Sequence, residues 1–382
     1  MREGWKYKRL GEIAYYPNLR VSVSDLSAED YVGVENLIKD RGGVSFGTSK
    51  PNIESAIAFS NDDILIGNIR PYLRKIWLAN KEGGASGDIV LIRIRNEWAE
   101  YISPAYLFKV LSSERFFEYD NANTKGAKMP RGDRKSILDF VVPVPPLPEQ
   151  ERIEAELDLL TGIIDKQKSQ LKELDNLAQS IFYDMFGDPI ENEKGWNIKK
   201  LSEIAEGKLS YGSGSSSIPF DGNIRYIRIT DIDDNGCLKD DKVSPSDFEI
   251  KYLLSDGDIL FARSGATVGK TYRHRSINGK CIYAGYLIKL VPNQSMVNPD
   301  YVFGFTKTQY YKAFVSLSQK AVAQPNINAE QYGNLSICVP PLTLQQSFAQ
   351  KIQSIESQKE SINRSIAETQ KLFDYTMDKY FG

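Results

Sequence analysis

With 382 residues, 41% of them hydrophobic and 26% charged, the chain has the size and composition of a globular protein of two or three domains. No run of 18 uninterrupted apolar residues exists, so no membrane span is expected. Cys237, Cys281 and Cys338 are scattered and His274 is the sole histidine, which argues against a disulfide framework or a structural zinc and fits a reducing cytoplasm.

The formal charge of −2 is unevenly spread. Residues 1–147 carry 21 Lys and Arg against 19 Asp and Glu, and residues 190–342 carry 18 against 16. Residues 148–189 carry 4 against 10, and residues 343–382 are balanced at 5 each. Two mildly basic bodies therefore flank an acidic segment, and this local distribution, not the net charge, bears on polyanion binding.

The first body opens on Gly4-Trp5 and Leu10-x-Glu12-Ile13-Ala14. Strands are predicted at Asp63–Gly67, Ile89–Ile94 and Phe140–Val144, a helix over Pro104–Tyr119, and a loop over Asn121–Arg134. From residue 148 a helical pattern takes over. Ile153, Leu157, Leu160, Ile164, Gln167, Leu171, Leu174, Ala178, Ile181 and Met185 alternate by four and three, and that spacing, held for more than four heptads, is a coiled-coil seam. Pro148 suits the first turn, with Glu149 and Glu151 near the positive end of the dipole.

The second body repeats the first. Gly195-Trp196 and Leu201-x-Glu203-Ile204-Ala205 return at an offset of 191. Asp63-Ile64-Leu65 returns as Asp258-Ile259-Leu260, Pro104-x-Tyr106 as Pro299-x-Tyr301, Val144-Pro-Pro-Leu as Val339-Pro-Pro-Leu, and Phe186-Gly187 as Phe381-Gly382, all at 195. The period is too long for a solenoid and implies two similar domains about a pseudo-twofold axis. Strands are expected at Asp258–Ala262, Tyr286–Val291 and Leu335–Val339, a helix over Pro299–Leu317, and a loop over Leu209–Ser217. The second seam runs Phe348, Ile352, Ile355, Lys359, Ile362, Ile366, Thr369, Phe373, Thr376, Tyr380, and Thr343 with Gln346 has the pattern of a capping box at its start.

Each such helix, about 39 residues long, would extend about 58 Å, and its obvious partner is the other, running antiparallel. Ile153, Leu157, Leu160, Ile164, Leu171, Leu174 and Ile181 would then pair with Ile352, Ile355, Ile362, Ile366 and Phe373, with Gln167 and Lys359 fixing register. The expected fold is two mixed α/β domains, 1–147 and 188–342, separated by two long antiparallel coiled-coil helices, 148–187 and 343–382.

Catalytic signals fail. Gly265-Ala-Thr-Val-Gly269-Lys270-Thr271 has one residue too few between its glycines for a phosphate-binding loop, and no methyltransferase motif is present. What recurs is a pair of basic, acid-free windows. No acidic residue lies between Asp63 and Glu82, or between Asp258 and Asp300. A second window follows in each half, around Lys125–Lys135 and around Lys320–Asn328. Arg and Lys neutralise phosphates, while Arg, Asn and Gln form bidentate hydrogen bonds with purine edges. The DNA-contact candidates are Asn68, Arg70, Tyr72, Arg74, Lys75, Lys125, Lys128, Arg131 and Arg134 in the first body. In the second they are Tyr211, Gly212, Ser213, Arg263, Ser264, Lys270, Arg273, His274, Lys320, Gln324 and Asn326. A coiled-coil protein-interaction scaffold without DNA specificity would explain the helices, but not the recurrence of these windows.

The duplicated plan resembles the specificity subunit of type I restriction–modification enzymes. The resemblance rests on Trp-x-x-x-x-Leu-x-Glu-Ile (Trp5–Ile13, Trp196–Ile204), Asp-Ile-Leu-x-x-Arg-x-Gly-x-x-x-Gly (Asp258–Gly269), Gln-Pro-Asn-Ile-Asn (Gln324–Asn328) and Pro-Pro-Leu-Pro-Glu-Gln-x-x-Ile (Pro145–Ile153). The first repeat departs from it at Asn68–Lys75 and at Met129–Asp133, as halves reading different bases should. The resemblance implies a non-catalytic subunit whose two target-recognition domains each read one half of a bipartite, asymmetric site in double-stranded DNA. It implies that the helices set the gap and dock two methyltransferase subunits in an adenine-N6 methylating complex, with two restriction (translocase and nuclease) subunits as further partners. S-adenosylmethionine, ATP and magnesium would then belong to those partners, and no cofactor to this chain.

Overall fold

The computed structural model describes residues 4–126, 128–320 and 326–382. They fall into two compact units, Met1–Lys166 with Ser365–Gly382, and Gln167–Arg364.

In the first unit the predicted strands Ile64–Gly67 and Ile89–Ile94 are the two central members of a four-stranded antiparallel sheet, flanked by Ala14–Tyr15 and Ile76–Leu78. The central strand is buried on both faces. Ile64 and Ile66 join Val90 and Ile92 in one apolar cluster, while Leu65 joins Trp77, Ile89 and Leu91 in another. That two-sided burial is why the sequence shows a continuous apolar run instead of alternation. A second sheet orders Arg20–Ser22, Ser55–Phe59, Gly83–Ala85 and Tyr31–Val32, and Lys6–Arg9 pairs with Val141–Val144. Asp63 opens the central strand as a structural carboxylate: it accepts two hydrogen bonds from the Arg93 guanidinium, at 2.7 and 2.6 Å, and one from Ser60 N.

The second unit repeats the sheet as Ser210–Tyr211, Leu287–Leu290, Ile259–Ala262 and Thr271–Arg273. Here Ile259 and Phe261 face one cluster, and Leu260 and Ala262 the other. Asp258 again accepts a backbone N–H, from Ser255 at 2.8 Å, but its cation is Lys289 at 3.8 Å.

The single helices expected over Pro104–Tyr119 and Pro299–Leu317 are each two. The first is Pro104–Leu111 and Glu114–Ala122, the second Pro299–Phe305 and Gln309–Lys320. Hydroxyl groups make the break. Ser113 Oγ accepts from Phe116 N and donates to Val110 O, and Thr308 Oγ1 accepts from Tyr311 N and donates to Phe305 O, so each competes with the ladder and starts a new helix.

The long helices are Leu147–Phe186 and Leu342–Phe381, 40 residues each. The second begins upstream of Thr343, so the expected capping box is not its start. A buried glutamine anchors each helix instead. Gln150 Oε1 accepts from Ser103 N at 2.9 Å, and its amide donates to Tyr101 O and Pro145 O, both at 2.8 Å. Gln345 does the same with Asn298 N, Met296 O and Pro340 O. This is the physical content of the Pro-Pro-Leu-x-x-Gln motif: one side chain satisfies three backbone groups where body meets helix.

All twelve seam residues named for helix pairing are buried or half-buried. In the second unit the Phe182 and Phe348 rings lie 5.7 Å apart, and Lys359 Nζ donates to Asp175 Oδ1 at 2.8 Å. Descending one helix while ascending the other makes the pair antiparallel. Lys359 also reaches Glu356; burial alone would lower its pKa, but the two carboxylates outweigh it and hold the pKa raised. In the first unit Tyr380 OH donates to Glu156 Oε2 at 2.7 Å and accepts from Arg152. Phe381 there packs edge-on against Tyr106 at 5.8 Å, as Phe186 packs against Tyr301 at 4.7 Å in the second unit. Trp5 packs against the cluster that holds Phe381.

Candidate nucleic-acid interface

In both units the candidate residues begin where the central strand ends. In the first, Asn68 follows the strand; its N–H donates to Asp88 O at 3.0 Å, and its carbonyl accepts from Gly132 N at 3.2 Å. Ile69 and Arg131 form an antiparallel bridge. The two basic windows of the sequence thus meet at one edge. Arg70 and Arg74 adopt left-handed backbone, φ 53° and 50°, around the turn Pro71–Leu73, a conformation costing a non-glycine residue about 1 kcal/mol. Arg70 N donates to Pro130 O at 2.8 Å and Arg41 N to Arg74 O at 2.9 Å, and these bonds hold the turn out.

Arg70, Tyr72 and Lys128 are exposed there. Arg131 is half-exposed and paired with Asp88 at 3.0 Å, and Lys125 is paired with Asp133 at 2.8 Å. Asn68 is buried at this edge. Three other candidates serve the fold. Arg74 is bound by Glu114 at 2.9 Å. The Lys75 ammonium donates to Val34 O at 2.6 Å, and burial lowers its pKa. Arg134 donates to Gly87 O and Ile89 O.

The second unit has the same backbone arrangement. Arg263 N donates to Tyr286 O at 3.1 Å, Ile327 N donates to Arg263 O at 2.9 Å, and Ser264 bridges Asn326. The Arg263 guanidinium lies 4.8 Å from the Tyr211 ring centroid and 5.8 Å from that of Tyr286. Both rings are open to solvent, 42% and 58% exposed. Asn326 is exposed beside them. Among the described residues no carboxylate pairs with Arg263, so its charge is oriented but not neutralised, as cation–π contact allows.

The remaining candidates divide. Gly212 leaves no room for a side chain, since a Cβ there would lie 2.3 Å from Tyr283 O. Ser213 is buried, and its carbonyl accepts from Tyr226 OH at 2.8 Å. Lys270 is held by Asp234 at 2.8 Å. Arg273 and His274 stand apart from the strand-end cluster: they lie at the start of the central strand, where Arg273 pairs with Ile259, His274 being buried and the Arg273 side chain 10% exposed. Arg273 meets Asp300 at 3.2 Å and burial lowers its pKa; His274 Nδ1 lies 3.1 Å from Tyr272 OH and is likewise lowered by burial. Gln324 and the Lys320 side chain lie outside the described residues. Sequence reasoning missed Asp88 and Tyr286 as site residues. The signal was their position immediately before the strand partners Ile89 and Leu287 of the central strand.

Among the described residues no helix is long and apolar enough to cross a membrane, and no group of three or more His, Cys, Asp or Glu is placed to hold a metal ion.

Two sheet-rich domains, each leading into one long helix and each carrying a strand-end cluster of polar and charged residues, define a duplicated mixed α/β architecture. Residues 193–371 match the model of the type I restriction modification DNA specificity domain. The chain is 24% identical over 387 residues to the type I restriction enzyme MjaVIII specificity subunit of Methanocaldococcus jannaschii, covering 93% of this chain and 87% of that protein. A chain of a solved type I R-M system, studied for complex assembly and conformational transition, shares the fold with a TM-score of 0.56 at 21% identity, covering 100% of this chain and 98% of the other. The type I restriction–modification S subunit of M. genitalium shares it with a TM-score of 0.54 at 13% identity, over 99% and 96% of the two chains. The chain is thus similar over most of its length to type I restriction–modification specificity subunits, and its second half matches the DNA specificity domain model.

Proposed function

We propose that this chain is the sequence-recognition subunit of a type I restriction–modification complex, each domain reading one half of a bipartite, asymmetric site in double-stranded DNA. The observation that carries the reading is the shared backbone address: in both domains the end of the central strand and the preceding loop of a short helix bring an arginine and polar side chains to one edge. Phosphate contacts would position each domain, and base-edge contacts would specify. Two methyltransferase subunits are proposed to dock on the helices, with restriction subunits joining them. S-adenosylmethionine, ATP and magnesium are assigned to those partners, so the chain itself contributes recognition, not bond-making.

The test is selection from random duplex pools by the chain assembled with its methyltransferase partner. The expected product is a consensus of two short sequences separated by a fixed gap. Recovery of no preferred sequence would favour the scaffold reading.

A further inference from the structure

We infer that three equivalent positions in each domain, 68, 88 and 131 in the first and 263, 286 and 326 in the second, form the specificity-determining triangle, and that each triangle reads a guanine through one arginine. The inference rests on the DNA-reading function proposed above and deepens it to residues and a base. The equivalence is set by the backbone. Position 68 donates its N–H to the carbonyl of 88 at 3.0 Å, as 263 does to 286 at 3.1 Å. The carbonyl of 68 accepts from the residue after 131 at 3.2 Å, as that of 263 accepts from the residue after 326 at 2.9 Å. The residue after 68 bridges 131, as the residue after 263 bridges 326.

On this common frame the side chains differ completely. The first domain carries Asn68, Asp88 and Arg131, the second Arg263, Tyr286 and Asn326. A constant backbone with changed chemistry at the same three corners is what two readers of different half-sites require. Each triangle holds one guanidinium, from a different corner and by a different means. Arg131 is aimed by the Asp88 carboxylate at 3.0 Å, with both side chains partly exposed. Arg263 is held between the rings of Tyr211 and Tyr286 and forms no ion pair among the described residues. A planar fork fixed in orientation matches the O6 and N7 acceptors of guanine, and an exposed asparagine beside it matches the N6 and N7 edge of adenine. Arg273, Arg74 and Arg134 lack this freedom, because each fork meets two acceptors (Asp256 and Asp300, Asp40 and Glu114, and the Gly87 and Ile89 carbonyls), whereas Arg131 meets one carboxylate among the described residues.

The test compares wild type with Arg263→Ala, Arg263→Lys and Arg131→Ala, each assembled with the methyltransferase partner and selected against random duplex pools. Arg263→Ala and Arg263→Lys are expected to relax one guanine position of one half-site by roughly 5- to 150-fold, leaving the other half-site and the gap unchanged. Arg131→Ala is expected to relax one position of the opposite half-site by a similar factor. The unaffected half-site reports folding and assembly within the same experiment. Variants that keep both half-sites intact, or that weaken every duplex evenly as phosphate contacts do, overturn the assignment while leaving the subunit a DNA reader. A wild-type complex that selects no sequence overturns the reading beneath it as well.

Discussion

Replacing Phe381 by alanine is expected to destabilise the first unit by about 3–5 kcal/mol. Phe381 is the penultimate residue of the sequence, yet it is buried in the core of the domain that begins at the other end of the chain. Its ring packs edge-on against Tyr106, its carbonyl accepts from Arg115 at 3.4 Å, and the neighbouring Tyr380 and, one turn back, Met377 fill the same cluster. Loss of the ring leaves a cavity in this buried cluster, which relaxation fills only in part. Trp5, Trp77 and Trp98 lie in the first unit and Trp196 in the second, so tryptophan fluorescence during urea unfolding of the full chain reports mainly the affected unit. A shift worth less than about 1 kcal/mol would show that the terminal turn is not part of that core.

Changing Asp120 to asparagine is expected to do the reverse, stabilising the first unit by about 3 kcal/mol at pH 7.5. Asp120 is 1% exposed, and among the described residues neither of its carboxyl oxygens has a hydrogen-bond partner. Burial raises its pKa to about 6 from an ordinary 3.8. The folded carboxyl therefore binds its proton more tightly than the unfolded one. Stability from this group is fullest below pH 3.8, declines as pH rises towards 6, and above 6 the full cost of a buried, uncompensated charge is present. Asparagine carries no charge to bury. The buried Asn68 Oδ1 also lacks a partner among the described residues, and both it and Asp120 Oδ1 approach the open side of the Gly132 Cα, so the new amide has an acceptor at hand. The gain should shrink towards zero at pH 4. Equal melting temperatures for the two proteins at pH 7.5 would contradict this account.

The parts of the molecule legible in sequence are those set by local periodicity. The four-three seams, the central apolar strands and the Pro-Pro-Leu-x-x-Gln motif each need only neighbouring residues to be recognised, and each stands where expected. The site was legible only in part. An acid-free window excludes carboxylates nearby in sequence, but Arg74 finds Glu114 and Arg273 finds Asp300 from other elements, so charge spacing alone overstates the free cations. His274 fell in such a window and lies in the core. The helices broken at Ser113 and Thr308 were hidden because a hydroxyl within a helical pattern reads as tolerated until its backbone bonds are seen. Tyr286 looked like a strand residue, and only pairing of its carbonyl with Arg263 N places it beside the guanidinium.

Under the proposed function, two domains read two half-sites and the long helices would set the gap between them. Each helix is 40 residues long, and removing one heptad from the middle of both shortens the rod by about 10.5 Å, on the order of three base pairs at about 3.4 Å each. The decisive measurement is the gap in the consensus selected by that variant complex beside the wild type. The account predicts the same two half-site sequences with a gap shorter by about three base pairs, or loss of binding to the wild-type spacing. An unchanged gap at undiminished affinity would contradict it.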